Sequence, residues 1–409
     1  MQYQHTVNTG QYKHYVYLGA QAFGADESDC LRRTPRTVVR TVSDKNAVVG
    51  GLSLFRAGQW FGGNRLESGL IAGVAIAPEA RGSGAGRELM QGLLQELHDN
   101  RVPVSALYAS TTAFYRKLGY GLAGDYSRWD VPAGALPVRP QQQAPQDQPM
   151  AVVQLDAANK AAQSAVKSVY TEWSRLYSGM IDRPDDFWQL ILTPHKKKVY
   201  LFLACSDPAD PGATAQGYAL VDHERKDHRI EVLDTAANSP EAADALLALL
   251  AGHRSVTDHV RIAGPACSPL LLRIPDHSRI ARCDSEPWLL RLTHIPAALE
   301  QRGYPAVSAE LRIDVTDSIL AGNNGSLLLQ LRHGKPKLIV EKLKDDFDSD
   351  PDPQRSHIAL SAEALAVLFA DGQRASILAA AGMLRGSKDS IRIAQTIFSG
   401  GPAVLQDKF

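Results

Sequence analysis

Between Val74 and Arg87 the chain reads Val-Ala-Ile-Ala-Pro-Glu-Ala-Arg-Gly-Ser-Gly-Ala-Gly-Arg, an apolar run joined through spaced glycines to a segment of helical periodicity. The chemistry this order supports is capture of an anion such as a pyrophosphate. Gly82, Gly84 and Gly86 can take positive φ and carry no Cβ to keep a phosphate from the backbone N–H groups. Leu89, Met90, Leu93, Leu94 and Leu97 recur on one helical face, so the N–H groups of residues 82–87 open a helix toward the ligand. Arg81 and Arg87 add mobile charge. Two other glycine loops are excluded by residue order: the third glycine comes one step too early for a dinucleotide fingerprint, and no lysine follows as a P-loop requires.

Tyr115 is a second group able to do chemistry. A phenol of pKa ~10 is protonated at neutral pH and can give its proton to a base of similar strength. Packing within the aromatic run Phe114, Tyr115, Tyr120 is the alternative on the residues alone. Phe409, an apolar last residue, hints at docking because termini fray unless held. It could equally pack anywhere. The twelve histidines bring no competing machinery: His5, His14, His98 and His195 lie in polar contexts, with no Gly-x-Ser-x-Gly or Cys/His motif beside them. Cys30, Cys205, Cys267 and Cys283 are far apart, have no metal-ligand spacing and read as free thiols. No metal site is expected.

The positioning elements follow from bulk and pattern. At 409 residues the chain is too long for one core, and ~150 residues per domain suggests three. Hydrophobic residues make up 44% and the formal net charge is 0, which argues against a general nucleic-acid or anionic-membrane binder. Lys196 to Lys198, the tight basic cluster, reads as a solvated loop. The polar start after Met1 and the lack of an apolar run near ~18 residues predict no leader and no membrane span, hence a cytoplasmic protein.

Residues 1–130 read as a mixed α/β domain: helix Gln11 to Phe23, strands Arg36 to Val42 and Ala47 to Phe55, the strand, turn and helix above, strand Val104 to Ala109, and a short helix with Phe114 and Tyr115. Residues 131–150, rich in proline and glutamine, read as a linker. Residues 151–292 repeat the order, with strands Val199 to Ala204, Gly217 to Asp222 and Ile230 to Asp234 and helix Ala242 to Gly252, but no Arg-Gly-x-Gly; this is a degenerate copy. Residues 293–409 hold a short helix at Ala297 to Arg302, strands Ala309 to Val315, Ser326 to Leu331 and Lys337 to Lys342, an acidic loop Asp345 to Asp352, and helices Ala362 to Phe369 and Ala375 to Ala381.

The segment Val74 to Arg87 resembles the acetyl-CoA pyrophosphate loop of the GNAT N-acetyltransferases. Further stretches along the whole chain make it similar to the enhanced intracellular survival (Eis) family: Ala106-Leu-Tyr-Ala-Ser110, Phe114-Tyr-Arg-Lys-Leu-Gly-Tyr-Gly121, Ile295-Pro-Ala-Ala-Leu-Glu-Gln-Arg-Gly-Tyr304, Arg374-Ala-Ser-Ile-Leu-Ala-Ala-Ala381 and the final Phe409. The resemblance implies an α/β (α+β) protein of two tandem GNAT-type mixed-sheet domains, the second degenerate. A C-terminal sterol-carrier-protein-like domain completes it, and the assembly is a homohexamer. It implies acetyl-CoA as co-substrate and no metal, with contacts at Val74, Ala75, Ile76, Gly82, Ser83, Gly84, Ala85, Gly86, Arg87, Ser110 and Thr111. Tyr115 matches the family's proton donor and the α-carboxylate of Phe409 its proton acceptor. The acceptor is a small-molecule amine or a protein lysine.

Three departures touch the acceptor side. Gly73 stands where a large aromatic often lines the pocket, Lys408 precedes the terminal residue where an acidic one would suit a polycation, and Tyr108 replaces a common histidine. Phe23 and Asp26 fall where the family has substrate-lining residues. With no compensating acidic cluster evident in the sequence, strong polycations are expected to be weaker acceptors than monoamines. The alternative function is a CoA- or lipid-binding interaction protein that uses the sterol-carrier-like domain without turnover.

Overall fold

Caps and glycines written into the sequence set the element ends. Asn8 and Gln11 form a capping box at the first helix and Gly24, at φ 63°, closes it. The structure, a computed structural model, describes residues 1–138, 150–194, 198–224, 228–341 and 356–409. Most of the linker expected over 131–150, Lys196 and Lys197 of the basic cluster, His195 and the acidic run Asp345 to Asp352 lie outside the described residues.

The first segment comprises β1 (Gln2–Gln4), α1 (Thr9–Phe23), α2 (Glu27–Arg33), β2 (Val39–Asp44), β3 (Ala47–Phe61), β4 (Asn64–Ile76), α3 (Ala85–Asp99), β5 (Val104–Tyr108), α4 (Thr112–Arg116) and β6 (Gly121–Pro132). The second holds β7 (Ala151–Leu155), α5 (Lys160–Ser174), β8 (Ile181–Asp182), α6 (Asp185–Leu192), β9 (Tyr200–Cys205), β10 (Ala215–Glu224), β11 (Arg229–Ala237), α7 (Pro240–Ala251), β12 (His259–Ala263), α8 (Pro269–Leu272) and β13 (Ala281–Leu292). The third holds α9 (Ile295–Gln301), β14 (Ala309–Thr316), β15 (Gly325–Arg332), β16 (Lys335–Glu341), β17 (His357–Ser361), α10 (Ala362–Phe369), α11 (Ala375–Ala380), β18 (Leu384–Gly386) and α12 (Lys388–Phe398).

Two differences from the sequence reading have local causes. Arg36–Val38, expected as strand, is a 3₁₀ turn opened by Pro35. The strand expected to stop at Phe55 runs to Phe61, because Gly62 and Gly63, at φ 58° and 81°, make the two-residue turn that pairs Phe61 with Asn64.

One compact unit gathers Met1–Gly124, Pro287–Ala403 and Lys408–Phe409. Its main sheet runs β1-β2-β3-β4-β5 and continues into the last residues of β13, where Trp288 pairs Tyr108 and Leu292 pairs Val104. The apolar face of α3 covers this sheet: Leu89, Met90, Leu93, Leu94 and Leu97 are fully buried against Leu52, Leu54, Ile71 and Leu107. The third segment contributes a second sheet of order β16-β15-β14-β17-β18. First and third segments interlock by backbone: the Gly303 N–H donates to the Phe61 carbonyl at 3.1 Å, and a Cβ on Gly303 would lie 2.0 Å from the Gly62 oxygen. Buried Arg302 donates to the carbonyls of Phe369, Gly303 and Phe398 at 3.0, 2.6 and 2.5 Å. Buried Arg291 pairs with buried Asp317.

The other unit comprises Asp125–Glu286 with Val404–Asp407. Its sheet order is β6-β12-β11-β10-β9-β7, covered by the apolar face of α7 through Ala242, Leu246, Leu247 and Leu250. At its interior Arg183 bonds Asp234 at 2.7 and 3.0 Å and Asp407 at 2.7 Å, and lies 3.8 Å from the centre of the Tyr170 ring. Burial opposes charge there, yet the two carboxylates hold the guanidinium protonated. The tail segment Val404–Asp407 is thereby fixed in this unit.

Candidate active site

The site grows from the C-terminal ends of two parallel strands. Ser68 to Ile71 of β4 pair with Val104 to Leu107 of β5, but β4 continues to Ile76 and β5 to Tyr108. On the other side, the β3 register shifts: Ser53 opposes Ala72 and Gly51 opposes Ala75. Gly73 and Val74 therefore face Leu52 alone, a bulge with Gly73 at φ 59°. Beyond Ile71 the backbone of β4 is released from β5, which opens a crevice where parallel α/β sheets bind ligands. Val74 and Ile76 are half-buried and Ala75 is buried beside it.

The glycine turn lies next in the chain. Pro78–Ala80 forms a 3₁₀ turn, with the Ser83 hydroxyl donating to the Ala80 carbonyl at 2.6 Å. Gly82 and Gly84 have φ 79° and 92°. A Cβ built on either meets no atom within 4 Å, so backbone conformation and not crowding selects glycine here. Gly84 is the N-cap of α3 and offers no side-chain bond to it. The first N–H groups of α3, from Ala85 to Arg87, thus remain available to an anion. In the second unit the corresponding helix is closed: the Ser239 hydroxyl accepts from the Ala242 N–H at 3.2 Å and Pro240 occupies its first turn.

Ser110 and Thr111 are exposed between β5 and α4, with Thr111 the N-cap of α4. Tyr115 follows in α4, only 7% exposed, its ring edge-on to Phe114 and Tyr120 with centroids 5.0 and 6.0 Å apart. Burial pushes its phenol up to about 12, so it keeps its proton at any physiological pH. Packing and proton donation, alternatives in the sequence, are compatible in this placement. The Phe409 ring packs at a tilt of 49° against Tyr108, with centroids 5.8 Å apart, which brings the last residue of the sequence to the end of β5.

The space left by Gly73 is taken by the Tyr15 hydroxyl, which a Cβ at 73 would approach to 2.7 Å. Asp26, Glu27 and Asp29 gather at the start of α2. Asp26 and Glu27 line a cavity of about 390 Å³ with Tyr17, Ala20, Gln21 and Ala25. The seven residues of α2 were too few to show periodicity in the sequence. Phe23 is 58% exposed at the end of α1. Sequence reasoning missed Tyr15 and Ser53 as partners of the bulge; the glycines at 51 and 73 inside strands were the available signal.

Comparison with known proteins agrees with this architecture. The family description "Acetyltransferase (GNAT) domain" matches residues 5–123 and again 179–292, and "Sterol carrier protein domain" matches 295–406. Fold and site thus define a tandem-GNAT N-acetyltransferase with an appended sterol-carrier-like domain. The N-acetyltransferase Eis of Mycobacterium tuberculosis is 26% identical over 355 residues, 80% of this chain and 76% of that protein. A GCN5-related N-acetyltransferase from Anabaena variabilis superposes with a TM-score of 0.86 at 27% identity, covering 100% of both chains. Eis1 from Mycobacterium abscessus shares the fold, with a TM-score of 0.79 at 20% identity over 100% of both chains. Over most of its length the chain is similar to the Eis N-acetyltransferases.

Proposed function

We propose that this enzyme transfers acetyl from acetyl-CoA to a primary amine by direct attack, in a single working site on the first segment. The observation that carries the reading is the joint presence of the bulged, released end of β4 and the uncapped, glycine-opened start of α3. The pyrophosphate binds the N–H groups of residues 82–87, with Arg81 and Arg87 screening its charge. The pantetheine arm runs along the free backbone of Val74 to Ile76, and Ser110 and Thr111 contact the coenzyme near the thioester. Fixing the donor this way makes attack by a bound amine effectively intramolecular.

Proton traffic is assigned to two groups. The α-carboxylate of Phe409 takes the proton of the attacking amine, directly or through a water, and the Tyr115 hydroxyl protonates the departing thiolate of coenzyme A. The packing of the Phe409 ring against Tyr108 supports the first role, and the protonated, buried phenol of Tyr115 supports the second. The acceptor class is a small-molecule amine or a protein lysine.

Residues 1–130 act as the catalytic domain, 131–150 as linker, 151–292 as the degenerate copy without coenzyme, and 293–409 as the domain that supplies the terminal carboxylate. A cytoplasmic homohexamer is the proposed working form. Among the described residues no helix is long and apolar enough to cross a membrane. The test is thiol release from acetyl-CoA across a panel of amines, with calorimetric titration of coenzyme A. Turnover with an amine and one coenzyme per chain is expected. Coenzyme binding without turnover on any amine would replace this reading with the binding-protein alternative, and two equivalent sites would end the degenerate-copy assignment.

A further inference from the structure

Tyr15 is a buried group that the mechanism above does not use. It sits on α1, 4% exposed, with its hydroxyl 2.9 Å from Ser53 Oγ and 3.0 Å from the Gly73 carbonyl oxygen. A carbonyl can only accept, so the single phenolic proton goes to Gly73 and the Ser53 hydroxyl donates to the phenol oxygen. Three positions are shaped around this one side chain. A Cβ on Gly51 would lie 2.6 Å from Tyr15 Cδ2, and a Cβ on Gly73 would lie 2.7 Å from its hydroxyl but 3.9 Å from its Cζ. Ser53 belongs to the β3 stretch whose register shifts against β4, and Gly73 is the residue of the bulge at positive φ.

We infer that Tyr15 is a positioning residue for acetyl transfer: through the Ser53–Tyr15–Gly73 hydrogen-bond chain it pins the bulge of β4, and so fixes the backbone N–H of the released strand against the acyl carbonyl. This rests on the proposed binding of the donor along β4. A bulge is held weakly by its own ladder, because the extra residue has no cross-strand partner. Gly73 has no side chain of its own with which to anchor it. An outside donor aimed at its carbonyl supplies the anchor. Burial raises the phenol to about 12, which keeps that donor protonated. Charge that develops on the thioester oxygen during attack is stabilised only by donors already in place, so a bulge free to shift loses rate before it loses coenzyme.

The experiment compares wild type with Tyr15→Phe, Gly73→Ala and the double variant, in steady-state acetylation of one good amine and in coenzyme A titration. Tyr15→Phe keeps the ring on Gly51 and removes only the hydroxyl. It should lower kcat by about tenfold to a hundredfold, the scale of a misplaced reacting group, while the KM for acetyl-CoA and the affinity for coenzyme A change less than threefold. Gly73→Ala should be worse, since it meets the hydroxyl at 2.7 Å and keeps a positive φ. Adding Tyr15→Phe to it should restore part of the folded yield and activity, because the contact then relaxes to the 3.9 Å of Cζ. Wild-type kcat in Tyr15→Phe, or equal losses in kcat and coenzyme affinity, would overturn the positioning role and leave the acetyltransferase reading standing. Absence of turnover in the wild type itself would sink both.

Discussion

Gly84 offers a clean separation of coenzyme binding from folding. Its φ of 92° and ψ of −2° cost an L-residue about 1–2 kcal/mol, but the open space around its Cβ direction means that no neighbour must move. Gly84→Ala therefore strains free and bound enzyme alike and should lower coenzyme A affinity by less than about threefold. Gly84→Asp adds the same strain, but an aspartate at an N-cap can bond the first N–H groups of α3 and return about 1 kcal/mol. Its melting temperature should stay near that of Gly84→Ala. Coenzyme A meets a different surface: the carboxylate occupies the donors that the pyrophosphate needs. Two phosphate charges ~5 Å away repel it by about 3 kcal/mol at an effective dielectric of ~40. Calorimetry should show at least a hundredfold weaker binding for Gly84→Asp with near-equal thermal stability of the two variants. Aspartate and alanine variants that bind coenzyme A equally well would refute the assignment of the pyrophosphate to this turn.

Extending the chain by one alanine after Phe409 should lower kcat by ~10²-fold, the scale of a lost general base, with coenzyme A affinity unchanged in the same titration; wild-type turnover would transfer the role elsewhere. Tyr115→Phe should lower kcat by at least tenfold. Because burial raises the Tyr115 phenol to about 12, its acid form persists across the assay range, so a tyrosine-dependent fall in kcat centred near pH 9 would contradict its environment. Lys408→Glu should shift kcat/KM toward dications relative to monoamines, most at low ionic strength; an unchanged ratio counts against a charge effect at the terminus. Asp317→Ala strands buried Arg291 and should cost about 3–5 kcal/mol in urea unfolding, and a loss under ~1 kcal/mol would show the pair to be dispensable. Burial alone would raise the Asp317 carboxyl, but Arg291 and the N–H groups of Leu320 and Ile319 hold it below the usual range. Its stabilisation is therefore complete above the unfolded value of ~3.9 and disappears as pH falls through the lower folded value.

What could be read directly in the sequence was local. The α3 helix is legible because five apolar residues from Leu89 to Leu97 repeat on one face, and the glycine turn is legible from the spacing of glycines 82, 84 and 86 directly before it. The tandem order of strands and helices follows from the same periodicity, as does the absence of a second phosphate turn before α7. Short or irregular elements escaped: α2 spans two turns at most, and the β13 strand begins with the exposed residues Ala281, Arg282 and Cys283, which show no buried face. Nothing in the helical segment Gln11 to Phe23 singles out Tyr15 in the sequence. Its task depends on Ser53 and Gly73 arriving from two other strands, and on a register shift that no single strand encodes. Likewise the burial of Arg183 between Asp234 and Asp407 joins residues widely separated in the chain, and the union of first and third segments in one unit rests on glycines 62 and 303 meeting backbone to backbone. Periodicity and caps act over a few residues, so the sequence by itself determined the elements and the glycine turn. Which elements meet, where the β4 strand breaks its ladder and which buried donor holds that break were decided by long-range packing, where each side chain's role is set by the neighbour it finds.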